Sequence, residues 1–234
     1  MPRHARLLAL SLSCALALAA TPPRPAAATP ARFAEEINLT AAAATAAIGA
    51  LQDKINTSRM TPADLELPTL RAAFHAAYQR QTGRAFDGAA EAPVQEIRRL
   101  MDAAMAEVIT AFRADILKGG QDAFVPAFFR AQLFERFNGA VDGRYRAVAT
   151  TRRSELINTD SAADRLIRDA EIVAFVNELL DQGSMRAETR SFGQATVGYW
   201  PMAIGEACAA CHQRNGLRQQ VGAFGGATVV IVGR

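Results

Sequence analysis

Cysteine, histidine and tryptophan are nearly absent from this chain, which has three Cys, three His and a single Trp among 234 residues. So few thiols exclude a fold stapled by disulfides, and the protein must hold itself together with an apolar core. Charge of one sign is lacking too, with 26 Lys and Arg against 23 Asp and Glu. Three of the arginines, Arg3, Arg6 and Arg24, belong to the N-terminal segment, and without them the formal charge of +3 falls to neutrality. A neutral remainder implies no polyanion patch and no nucleic-acid partner. Past that segment there is no apolar run long enough to span a bilayer, no internal repeat and no low-complexity tract beyond alanine-rich helix.

What is present begins with an export signal. Arg3, His4 and Arg6 form a basic n-region, Leu7 to Ala20 is uninterruptedly apolar, and small-residue cleavage sites follow at Ala17-Leu18-Ala19 and Ala26-Ala27-Ala28. The apolar run is too short for a comfortable membrane span, so residues 1–28 are expected to be a signal peptide and the mature chain to be periplasmic, with no integral span after cleavage. Lipid anchoring at Cys14 is disfavoured because Ser11 stands where such a signal wants leucine. Cys14 leaves with the signal, so both remaining cysteines, Cys208 and Cys211, lie in one short motif.

Residues 29–234 are expected to form one α+β domain, mainly helical over 29–140 and α/β over 141–234. Phe33, Ile37, Ala41, Ala44, Ile48, Leu51 and Ile55 recur at helical steps and predict one helix from about Ala31 to Thr57. Thr61-Pro62 opens a second helix carrying Leu65, Leu70, Phe74 and Tyr78, with Pro68 as an interruption. A third runs from Ala92 to the stop at Gly119-Gly120. The stretch from Asp122 to Asn138 holds five phenylalanines, too many for a solvated helix, and is either central core or the wall of an apolar pocket. Beyond Gly143 the period changes. Arg144 to Thr151 alternates as a strand, Asp160-Ser161 caps a helix reaching Asp181, and strands are predicted over Met185 to Phe192, Gln194 to Met202 and Ala227 to Val232, with a hairpin at Gly193. The result is a small antiparallel sheet with helices on one side, an α+β arrangement.

Between the last two strands Cys208-Ala209-Ala210-Cys211-His212 spells C-x-x-C-H. Two thiols at this spacing add to both vinyl groups of one haem while the adjoining imidazole turns under the ring to bind its iron. The motif is therefore a covalent haem c site, with Cys208 and Cys211 forming the thioethers and His212 as proximal metal ligand. A thioredoxin-like dithiol wants a βαβ context, and a zinc site wants a fourth ligand that no second Cys or His pair supplies. A Zn or redox-dithiol module is nonetheless an alternative, as is a pair of small buried thiols beside an incidental histidine.

With these pieces in order the chain resembles the Tll0287-like haem-binding family, formerly a domain of unknown function (DUF3365). The resemblance rests on the long first helix, on Phe124-Val125-Pro126-Ala127-Phe128-Phe129, on Asn158-Thr159-Asp160-Ser161-Ala162-Ala163-Asp164 ahead of a helix, on Tyr199-Trp200-Pro201 before the C-x-x-C-H, and on Gly225-Gly226-Ala227 entering the last strand. It implies a PAS-like sheet bearing one covalently attached haem. In that family a cysteine of the first long helix can be the second axial ligand, whereas here that helix has only alanine and threonine where such a residue would be expected. His75 is then a candidate distal ligand, as are Met101, Met105, Met185 and Met202, and an open position would suit NO, CO or O2. Arg144, Arg146, Arg152 and Arg153 are candidates for pairing with the haem propionates, or else a solvated strand edge.

The function expected is that of a cytochrome c-like, mono-haem periplasmic protein in electron transfer or in redox or gas sensing. Its partner would be a redox protein or a separate signalling protein. A peroxidase-type haem enzyme is the alternative from another class. It needs a distal base and a polarising group, for which only His75 offers itself, so enzymatic turnover is not the leading reading.

Overall fold

The computed structural model describes residues 29–120, 124–150, 169–206, 208–209 and 220–233. Residues 1–28, expected to be a signal peptide, the cap expected at Asp160-Ser161, the stretch Asn158 to Asp164, Arg152, Arg153, Cys211 and His212 lie outside them.

The N-terminal part is helical, and proline sets most of its starting points. Helix α1 (Pro30–Gly49) begins at Pro30, where the Thr29 hydroxyl accepts from the Arg32 amide at 3.3 Å. The helix expected to run on to Thr57 breaks at Ala50-Leu51 and resumes as the short α2 (Gln52–Asn56). Thr61-Pro62 does start a helical turn, with Thr61 and Asp64 in a reciprocal capping box, but it is a 3-10 turn (Pro62–Leu65). Pro68 then sits in the first turn of α3 (Leu67–Thr82), so it opens that helix and does not interrupt one. Helix α4 (Ala92–Lys118) ends at Gly119 as expected.

The aromatic segment is helix α5 (Pro126–Ala140), and three of its phenylalanines, Phe129, Phe134 and Phe137, are core residues. Phe128 is 41% exposed, so the cluster is core on one face only. Strand β1 (Tyr145–Thr150) follows, then α6 (Ala170–Asp181), β2 (Glu188–Phe192), β3 (Ala195–Ala203) and β4 (Phe224–Val232). The Asp169 carboxylate caps α6 by accepting from the amides of Glu171 and Ile172 at 2.9 and 3.3 Å. Strand β2 starts later than expected, since Met185 is 50% exposed, while β4 starts earlier, at Phe224.

The four strands form one antiparallel sheet in the order β1-β4-β3-β2. Helices cover both of its faces and not one side as expected, because the apolar helix α6 takes the second face. Val230 and Val232 of β4, with Tyr145 and Ala147 of β1, join the large core made with α1, α3, α4 and α5. Their neighbours of opposite parity, Val229 and Ile231, with Val197 and Tyr199 of β3, pack against Ile172, Phe175, Val176 and Leu179 of α6. Period-two alternation along β4 thus feeds two separate cores, which is why the strand reads as almost continuously apolar. At the edge, the side-chain amide of Asn138 bonds both backbone groups of Ala147, each at 2.8 Å, and ties α5 to β1.

One buried charge is built into the helical layer. Glu36 on α1 is 2% exposed, and its carboxylate accepts from Arg98 Nε at 2.7 Å, from Arg84 Nη2 at 3.1 Å and from the Tyr78 hydroxyl. Arg98 also donates to Tyr78 Oη and to the Phe86 carbonyl, each at 2.8 Å. Burial, reinforced by the carboxylate, pushes the Tyr78 phenol up to about 12. Removing one member of such a set strands the others without water. Arg98→Met is expected to lower the unfolding free energy by about 3 kcal/mol. Urea titration checks this, and the double variant Glu36→Gln/Arg98→Met should recover part of the loss.

Candidate functional site

The C-x-x-C-H stretch is an excursion between the two most extensively paired strands. Strands β3 and β4 run antiparallel with Thr196 opposite Val232 and Pro201 opposite Ala227, and the register shifts between Pro201 and Ala203. Such an irregularity re-aims the side chains beside it, here Met202. Past the shift the chain closes a neck. The Ile204 amide donates to the Ala223 carbonyl and the Gly222 amide to the Ile204 carbonyl, both at 2.8 Å. Glycine at position 225 makes this closure possible, because a Cβ there would stand 2.9 Å from Ile204 Cγ1 and 3.3 Å from the Met202 carbonyl oxygen.

From the neck the chain turns at once into helix. Glu206, Cys208 and Ala209 are helical, and the Ala209 amide donates to the Gly205 carbonyl at 2.9 Å. Ala209 is buried and Cys208 is a half-buried free thiol. Cys211 and His212 lie outside the described residues, so of the motif's three functional side chains only Cys208 has a stated environment. Among the described residues no three or more His, Cys, Asp or Glu side chains converge on a common point, and no helix is long and apolar enough to cross a membrane.

The candidate distal residues are scattered. His75, on α3, stacks on Phe86 with ring centroids 4.1 Å apart, and its Nδ1 lies 3.3 Å from Asp87 Oδ2. It lines a pocket of about 360 Å³ together with Arg98, Arg99 and Asp102 of α4. Its Nε2 is buried without a hydrogen-bond partner. Helix α1 packs against α3 on one side and against β3 and β4 on another, so α1 stands between the His75 pocket and the strands that carry the loop. Met101 and Met105 are fully buried core residues of α4, and Met185 is half exposed. Met202 alone sits at the root of the loop.

Met202 also marks a residue that sequence reasoning missed. Arg130 of α5 is 8% exposed, its Nη1 lying 2.6 Å from Met202 Sδ and 3.1 Å from Thr228 Oγ1, while its Nε donates to Thr45 Oγ1 at 3.1 Å. It bridges α1, α5 and both strands that flank the loop. Burial alone lowers its guanidinium to about 10. A sequence signal did exist: Arg130, Leu133, Phe134 and Phe137 recur at helical steps, which puts Arg130 on the buried stripe of α5. Of the arginines considered for propionate pairing, Arg144 is engaged by Glu96 at 3.0 Å, which lowers the Glu96 carboxyl and raises the guanidinium.

No protein-family model, curated protein or solved structure matches the chain.

The sole tryptophan reports on this region. Trp200 lies on the helix-layer side of β3, and its indole crosses Gly198 so closely that a Cβ at 198 would stand 2.1 Å from the ring. Its other neighbours include a cleft of about 450 Å³ shared with Arg32, Glu35 and Thr189. In Gly198→Val the indole must leave this position, with an expected loss of about 1–3 kcal/mol from overpacking. A red-shifted tryptophan emission together with a lower urea midpoint is the result expected, and unchanged emission would contradict the packing described.

Proposed function

We propose that this chain is an exported protein of the Tll0287-like type that carries one haem c, bound covalently through Cys208 and Cys211 with His212 as proximal ligand. It acts in electron transfer or in redox or gas response. The observation that carries the reading is the placement of the C-x-x-C-H stretch: it leaves the end of a strand through a neck held by two backbone hydrogen bonds, and its first cysteine is a half-buried free thiol. A covalent haem loop needs both properties, since the attachment points must be held against a rigid base while the first thiol remains available for thioether formation. A cationic group near the loop's root, Arg130, also suits a cofactor that brings carboxylates.

When bound, the haem supplies a one-electron iron couple and an axial position for a small ligand. The chain's own part is to hold and shield it. Cys208 and Cys211 would fix its edge to the loop, His212 would hold the iron, and the apolar side chains behind the neck would exclude water and so tune the potential. The partner is a redox protein or a separate signalling protein. A peroxidase would require a base and a polarising group on the distal side, and His75, the residue nominated for that part, is engaged with Phe86 and Asp87 behind α1.

Expression together with a c-type haem maturation system, followed by ferric and ferrous absorption spectra with and without CO and NO, tests the proposal. A covalent haem whose ferrous form binds CO is the expected result, and His75→Ala should leave every spectrum as in the wild type. Loss of a six-coordinate, low-spin spectrum in His75→Ala would place that imidazole on the iron, and a His212→Ala protein with an unaltered spectrum would remove His212 from it.

A further inference from the structure

Among the described residues two guanidinium groups are buried, and only one of them has an anion. Arg98 is matched by Glu36 at 2.7 Å. Arg130, on the other side of α1, meets two hydroxyls and a thioether, which satisfy hydrogen bonds and leave the charge uncompensated. Among the described residues it has no carboxylate partner, and its Nη2 makes no hydrogen bond. A cation at this depth without a counter-charge loses solvation that neutral acceptors replace only in part, and an anion on the open Nη2 would offset that loss.

The position of Arg130 says where that anion comes from. Thr228 and Met202 lie on the two strands that bracket the C-x-x-C-H loop, and Met202 stands at the register shift just before the neck residue Ile204. A group fixed to Cys208 and Cys211 is thereby tethered to the same end of the sheet. Resting on the haem reading above, we propose that Arg130 receives a haem propionate through its unbonded Nη2, as a positioning residue that anchors the cofactor's carboxylate end while the thioethers anchor its vinyl end. The guanidinium keeps Thr45, Met202 and Thr228 on its other nitrogens while Nη2 faces the carboxylate, an arrangement that the lysine ammonium reproduces only in charge.

Wild type, Arg130→Met and Arg130→Lys, expressed as full chains with haem maturation, are compared in two measurements. Haem staining of the denatured protein reports covalent attachment, and the propionate bending band of the resonance Raman spectrum reports the bond to the carboxylate. The expected result is haem in all three proteins, with the band moved to lower frequency in Arg130→Met and partly restored in Arg130→Lys. A purely structural role for Arg130 would change stability and leave the band in place, so a loaded Arg130→Met protein with the wild-type band overturns the proposal while the haem reading stands. A wild type without covalent haem overturns both. Should Arg130→Met fail to fold, Arg130→Gln keeps a donor for Thr45 and Thr228 without the charge, and the same downward shift is required of it.

Discussion

The pairing of β3 with β4 is the constraint on which the rest of the molecule depends. It brings Ile204 beside Gly222 and Ala223, so everything between must leave the sheet and return through one neck. It also makes β4 a central strand whose alternate residues belong to different cores, one under α1 and α5 and one under α6. The loop is therefore mounted on the part of the sheet held from both faces. A cofactor fixed there, as proposed above, would inherit that rigidity, which is what positioning of a reactive group requires.

Buried charge divides the helical layer into two regions with different logic. Near Tyr78 the set of Glu36, Arg98 and Arg84 is complete within the protein and locks α1 to α3 and α4. Near Met202, Arg130 ties α1 and α5 to the sheet with neutral partners alone. The alanines of α1, Ala41, Ala43, Ala44 and Ala47, let these elements approach closely, since all four are buried. A helix with larger side chains on that face would hold α3 and the sheet apart and separate Thr45 from the arginine.

Local pattern made much of this legible. The apolar stripe of α4, its stop at Gly119 and the hairpin at Gly193 follow from period and glycine placement, and all are found. The break of the first helix at Ala50-Leu51 was hidden because its apolar period runs on through Leu51 and Ile55 across the break. Pattern alone starts β2 at Met185, which is apolar in type, whereas the side chain is half exposed and the strand starts at Glu188. The C-x-x-C-H motif is visible from spacing alone, whereas the role of Arg130 is not. Its partners lie 72, 85 and 98 positions away in the chain, a distance over which periodicity carries no information. The placement of His75 behind α1 likewise follows from helix packing, not from any local feature of α3.

In the function proposed above, Cys208 and Cys211 carry a haem. Intact mass spectrometry of the denatured full chain, matured in a host that attaches c-type haem, tests it most directly. A single species one haem heavier than the polypeptide left after loss of residues 1–28 or a segment close to it is expected, with the extra mass absent from Cys208→Ala/Cys211→Ala. A wild-type protein recovered folded at the mass of the bare polypeptide would contradict it.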